Sequence, residues 1–220
     1  MQMNEEQIAD YLRENPAFFE HNAHLLAEIY LPSPHGNGTI SLAERQQLAQ
    51  RDKVRVLEAK MSELIQFGEE NDAISERVHR LSLGLLAARN FDALVGTVTH
   101  NLREDFQVPH VAMRLWAKPQ DAADTSCEEF NTVDADLRNW TDNLNTPYCG
   151  HRPGLDLDGW FGETNAPLKS FALVALRGEQ AVGLLAMASE DEERFYPEMG
   201  TLYLKRIGEL VSVAILRYVI

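Results

Sequence analysis

Two cysteines in 220 residues, Cys127 and Cys149, are too few for a disulfide scaffold and fit a reducing compartment. Positive charge is also scarce. Only 20 Lys and Arg stand against 34 Asp and Glu, a formal charge of −14, and no basic run reaches three residues. That balance repels phosphate backbones and anionic leaflets, so neither nucleic acid nor membrane is an expected partner. Long apolar runs are missing: residues 210–220, the most apolar stretch, are too short to span a bilayer, and the first residues lack the basic-then-apolar order of a secretion signal. The cytoplasm is the expected location. The patterns GxxxxGK[ST], GxSxG, GxGxxG and HExxH do not occur, which removes the commonest nucleotide-hydrolysing, esterase, dinucleotide and zinc-protease signatures.

Proline is absent from residues 41–88, and there the apolar residues recur at helical spacing. Leu57, Leu64, Asn71, Val78 and Leu85 fall seven apart, with a second row of Phe67, Ile74, Leu81 and Ala88. The spacing predicts one long helix of roughly 70 Å, more than a small domain can cover. A parallel homodimer follows as the expectation, with Leu57, Leu64, Asn71, Ile74, Val78, Leu81 and Leu85 as its seam. Asn71 is the polar break that fixes register, its amide being satisfied by its counterpart on the partner. Before residue 54 the phase weakens at Gln46, Gln50 and Lys53.

Ahead of this helix, two short helices are expected, the second capped by Asn15 with Pro16 at its first position and Phe18, Phe19, Leu25, Leu26 and Ile29 as its apolar face. Residues 31–38 form a turn-rich breaker, and Ser41 with Glu44 makes a capping box. Behind it, after Asn90-Phe-Asp92, comes a helix carrying Leu94, Val95, Val98, Leu102 and Phe106. Alternation at 110–116 then reads as a strand, 135–144 as a short helix and 148–164 as a loop. Residues 170–177 and 181–188 form a strand hairpin, and a last helix, opened near Phe195, is apolar on more than one face. Such a helix needs its own sheet and a partner subunit.

The order of elements over residues 80–220 resembles a GAF domain. The segments Tyr11-Leu-Arg-Glu-Asn-Pro-Ala-Phe-Phe19, Leu31-Pro-Ser-Pro-His35, Ser41-Leu-Ala-Glu-Arg-Gln46 and Arg194-Phe-Tyr-Pro-Glu-Met-Gly-Thr-Leu-Tyr-Leu204 are similar to those of a bacterial family, domain of unknown function 484. The resemblance implies an α+β fold: a GAF-like domain, an antiparallel sheet flanked by helices, behind a helical N-terminus. The domains expected are a helical hairpin over 1–40, a coiled-coil dimerisation helix over 41–89 and the GAF-like domain over 90–220. The family supplies no ligand or reaction, and no motif names a cofactor.

Candidate site residues cluster in Tyr148-Cys-Gly-His-Arg152 and Trp160-Phe161, together with Trp140. GAF-like domains hold small molecules beneath loops that cover the sheet, and this Gly/Pro-containing segment is the expected cover. His151 and Arg152 beside Cys149 would lower its thiol pKa if their side chains approached it. No metal site is expected: His21 and His24 lie three apart on an expected helix without a third ligand, and Asp156-Leu-Asp158-Gly159 lacks the later carboxylate of a calcium loop. The leading reading is a non-enzymatic dimeric sensor or adaptor that binds a small molecule and signals through a protein partner. Two alternatives stand beside it. One is a thiol enzyme of the free methionine sulfoxide reductase type, and the other a coiled-coil scaffold with an empty pocket.

Overall fold

The computed structural model of the chain describes residues 4–32, 39–157, 159–163 and 167–220, and divides it into two units, Met1–Glu69 and Glu70–Ile220. The first unit begins with α1 (Glu5–Glu14), opened by a capping box that the sequence reading missed: the Asn4 side chain accepts from the Gln7 amide at 2.8 Å while the Gln7 side chain accepts from the Asn4 amide at 3.0 Å. Asn15 closes this helix instead of opening the next, because its side-chain amide donates to the Tyr11 carbonyl at 2.9 Å. Next come α2 (Phe18–His21) and α3 (Leu25–Glu28), then β1 (Tyr30–Pro32) paired antiparallel with β2 (Thr39–Ser41), a small ribbon not expected from the sequence. Most of the breaker, 33–38, and the Ser41 side chain of the expected capping box lie outside the described residues.

The long helix is α4 (Leu42–Ala87), 46 residues without interruption. No described residue before Leu81 is buried. Within the first unit Val54, Leu57, Met61 and Leu64 are between 50% and 68% exposed, on one face at three-and-four spacing. The expected continuous seam therefore divides in two. Leu81 and Leu85, at 0% and 3% exposure, sit in the chain's own core, with Ile74 and Val78 half-buried. Asn71 finds a partner in the same chain: the Tyr203 hydroxyl lies 3.2 Å from its carbonyl, 3.4 Å from its Oδ1 and 3.1 Å from the Ser75 hydroxyl.

The second unit continues through α5 (Phe91–Glu104), whose Asn90 cap accepts from the Ala93 amide at 2.8 Å, into β3 (His110–Leu115). After two 3₁₀ turns come α6 (Ala135–Asp142), β4 (Tyr148–Gly150), β5 (Ser170–Arg177), β6 (Ala181–Ser189) and α7 (Leu202–Ile215). The sheet is antiparallel, in the order β3-β6-β5-β4. The fold is thus α+β, a four-stranded antiparallel sheet flanked by helices. Strand β4 was expected as loop, since three residues between prolines carry no period; its identity comes from pairing with Phe171–Leu173 of β5. The last helix begins at Leu202, because Phe195 is buried in the core and residues 196–199 close a turn before Gly200.

Alternation along the strands makes two cores. Val111, Met113, Val174, Leu176, Leu185 and Met187 face the end of α4, α5 and α7, while Phe171, Leu173, Leu184, Ala186 and Ala188 face Leu137 of α6 and Leu157 and Trp160 of the following segment. Arg177 joins the second layer to the sheet, donating through Nη2 to the carbonyls of Thr141, Asp142 and Leu144 at 2.7–3.0 Å, which satisfies the open end of α6.

Helix α7 approaches β5 so closely at Gly208 that an added methyl would lie 2.3 Å from Val174 Cγ1. Val174 is buried and β-branched, so it cannot turn away. Alanine would gain about 1 kcal/mol of helix propensity but force an overpacked contact costing about 1–3 kcal/mol. Gly208→Ala is expected to lower the melting temperature by about 2–6 °C, read by circular dichroism; an unchanged or raised value would show that α7 can shift on the sheet.

Candidate functional site

The segment after β4 covers the second face of the sheet. Gly159 and Gly162, at φ +75° and +68°, occupy the left-handed region and bracket Trp160 and Phe161, so the chain bends at both ends of the aromatic pair. Trp160 is buried against the sheet, and the Phe161 ring packs 6.2 Å from that of Phe171 and 6.4 Å from that of His110. His110 in turn meets Glu190 at 2.7 Å; this hydrogen bond, with one from the backbone, holds the Glu190 carboxyl below its ordinary range.

Beneath and beside this cover lie two cavities that share Gly159, Phe161 and Gly162. The smaller, about 250 Å³, is walled by Arg152, Leu157, Pro167, Leu168 and Phe171. The larger, about 530 Å³, opens at the β3 edge between α5 (Val95, Thr99, Arg103), residues 111–114 of β3, Glu128 and Glu129 of a 3₁₀ turn, and Trp160. Its organising group is Arg114, only 7% exposed. The guanidinium donates to the Met113 carbonyl at 2.9 Å and to Glu128 at 2.6 Å, and stands 5.1 Å from the centre of the Trp160 ring. A charge so deeply buried requires such partners.

Of the residues singled out from sequence, Trp160, Phe161 and Arg152 line these cavities, and Trp140 and Tyr148 pack on the same face of the sheet with rings 5.9 Å apart. Tyr148 also donates to the His151 carbonyl at 2.8 Å. Cys149 is placed elsewhere. Successive residues of β4 point to opposite faces, so Tyr148 joins the cover while Cys149 is buried with the helices. The His151 side chain is 70% exposed, 3.8 Å from Glu192. Arg103, Arg114, Glu128 and Glu129 escaped the sequence reading; the one available signal was an arginine inside the apolar alternation of β3.

His21 and His24 do not share a helix, since α2 ends at His21, whose Nδ1 lies 3.1 Å from the Ala17 carbonyl. Asp158 lies outside the described residues, and among the described residues no group of three or more His, Cys, Asp or Glu could hold a metal ion.

The family model described as "Protein of unknown function, DUF484" matches residues 1–220. Proteins called "Uncharacterized protein YigA" from Salmonella typhimurium and Escherichia coli are each 25% identical over 222 residues, covering 99% of this chain and 93% of theirs. Among solved structures, the GAF domain of a phosphoenolpyruvate-protein phosphotransferase from Coxiella burnetii is similar at TM-score 0.47 and 10% identity, over 66% of this chain and 93% of that one. The GAF domain of the potassium sensor histidine kinase KdpD from Escherichia coli is similar at TM-score 0.41 and 17% identity, over 65% and 93%.

Neither thiol is activated. Burial pushes Cys149 up to about 11, the condition for a lowering by His151 and Arg152 not being met, and Cys127 is raised by burial and then by Asp124, Glu129 and Asp92. Both are free. Cys149 lies on the β4 edge, while Cys127 precedes the turn that meets β3 at the other edge, so the three strand spacings between those edges separate them by roughly 14 Å, twice the roughly 7 Å limit for a disulfide. Because the folded pKa of Cys149 is raised, the native thiol stays protonated where an unfolded one ionises above about 8.5. Iodoacetamide is therefore expected to modify Cys149 at pH 7.5 at least tenfold more slowly than in denatured protein, with the rate rising towards pH 11. Equal native and denatured rates, followed by peptide mass spectrometry, would show that the thiol is not held this way.

Proposed function

We propose that this chain, which belongs to the DUF484 family, is a dimeric sensor or adaptor that holds a small molecule beside the Gly159–Gly162 turn and acts through a protein partner, without catalysing a reaction. The observation that carries the dimer is the uncovered stripe of Val54, Leu57, Met61 and Leu64 on a unit whose described residues bury no side chain. Each is about half exposed, so covering it yields roughly 1 kcal/mol. Eight such side chains from two copies come to the order of the association cost, about 4–15 kcal/mol. A second surface adds to this. In the unit Glu70–Ile220, an apolar groove of about 470 Å³ runs between α4 and α7, lined by Val78, Leu86, Leu210 and Val213, the last 69% exposed. A partner copy laid along this groove would give the terminal helix its second burial surface.

The thiol-enzyme reading is weakened by two neutral thiols on opposite edges of the sheet. A formal charge of −14 disfavours nucleic acid as the partner. Among the described residues no helix is long and apolar enough to cross a membrane.

Sedimentation velocity at micromolar concentration is expected to give a dimer for the parent and a monomer for the Leu57→Asp, Leu64→Asp double variant, which would place two unpaired charges in the seam. Both side chains are exposed in the single chain, so the melting transition of the 70–220 unit is expected to persist. A monomeric parent, or a variant that remains dimeric, would overturn the stripe as the interface.

A further inference from the structure

We infer that the larger cavity is built for a zwitterion, an α-amino acid with an apolar side chain, its carboxylate towards Arg103 and its ammonium towards Glu129. The inference rests on the reading of that cavity as a ligand site. Its walls carry two arginines and two glutamates. One pair is already joined, Arg114 with Glu128 at 2.6 Å. The other two charges line the same space without meeting: among the described residues, neither the Arg103 nor the Glu129 side chain has a hydrogen bond or ion pair. Arg103 is carried by α5 and Glu129 by the 3₁₀ turn, two elements that both border the opening.

This arrangement selects by charge. An anion gains from Arg103 and is opposed by Glu129; a cation meets the reverse. A molecule carrying both charges satisfies both walls at once, in the manner by which complementary fields give specificity. Beside the charged residues and Thr99, the lining residues are apolar, Met113 and Trp160 among them, and leave room for an aliphatic or aromatic side chain. Arg114 acts as a positioning residue, since its guanidinium is engaged by Glu128 and stacked against Trp160.

Isothermal titration of the full chain with L-leucine, L-methionine and L-phenylalanine, and with the N-acetyl and amide derivatives of each, tests the inference. At least one free amino acid is expected to bind, with acetylation or amidation each weakening it tenfold or more. Arg103→Gln is expected to abolish the discrimination against the amide alone, and Glu129→Gln that against the N-acetyl form alone. Neither side chain has a partner to lose, so both variants are expected to melt like the parent. Derivatives that bind as well as the free amino acids, or variants that leave discrimination intact, would overturn the inference. If phenethylamine or hydrocinnamate binds while no amino acid does, the cavity remains a ligand site and the zwitterion is wrong. If none of these probes binds, the ligand-site reading falls with it.

Discussion

Val54, Leu57, Met61 and Leu64 form an apolar face that α4 presents and that the described residues of its own unit leave exposed. Packing such a face supplies most of the stability of a helix in a protein, propensity alone only a small part, and α4 runs for 46 residues. In the proposed dimer, this face is what a second copy covers. Further along the same helix the problem is solved internally, where Leu81 and Leu85 enter the core beneath the sheet. One element thus serves two kinds of burial, the second within the chain and the first awaiting a second surface.

The sheet imposes a parallel demand. Strands β5 and β6 carry apolar residues on both faces, so both must be kept from water. The end of α4, with α5 and α7, covers one face. The other has only the short α6 and the segment through Trp160, and an irregular segment covers a sheet less densely than a helix does. The two cavities that share Gly159, Phe161 and Gly162 border this thinner layer. Arg114 lies there as well, a buried cation whose need for partners ties β3, the 3₁₀ turn at Glu128 and the Trp160 turn into one structure.

Much of this was legible in the residues. The helix α5, strand β3, and the hairpin β5-β6 follow from local period, and each is found where that signal put it. What escaped depended on partners distant in the chain. β4 is a strand only through β5, and Asn71 meets Tyr203, 132 residues away. The face taken by Cys149 followed from β4 being a strand, so missing the strand placed the thiol with the covering segment when it belongs to the helix side. At the candidate site, the aromatic residues were visible as a cluster in sequence. The charges were not, because Arg103, Arg114 and Glu129 come from three separate elements.

The dimer is tested most directly by cysteine crosslinking along α4. With Cys127 and Cys149 replaced by serine and alanine, a single cysteine at position 57 or at position 64 reports whether the same residue of two copies lies within the roughly 7 Å Cα separation that a disulfide allows. A parallel, in-register pair brings both positions to their own counterparts. Mild oxidation is then expected to convert both variants to covalent dimers, and a mixture of the two to yield little 57–64 product. Failure of both to crosslink, or a mixed product exceeding the matched ones, would contradict a parallel dimer through this helix.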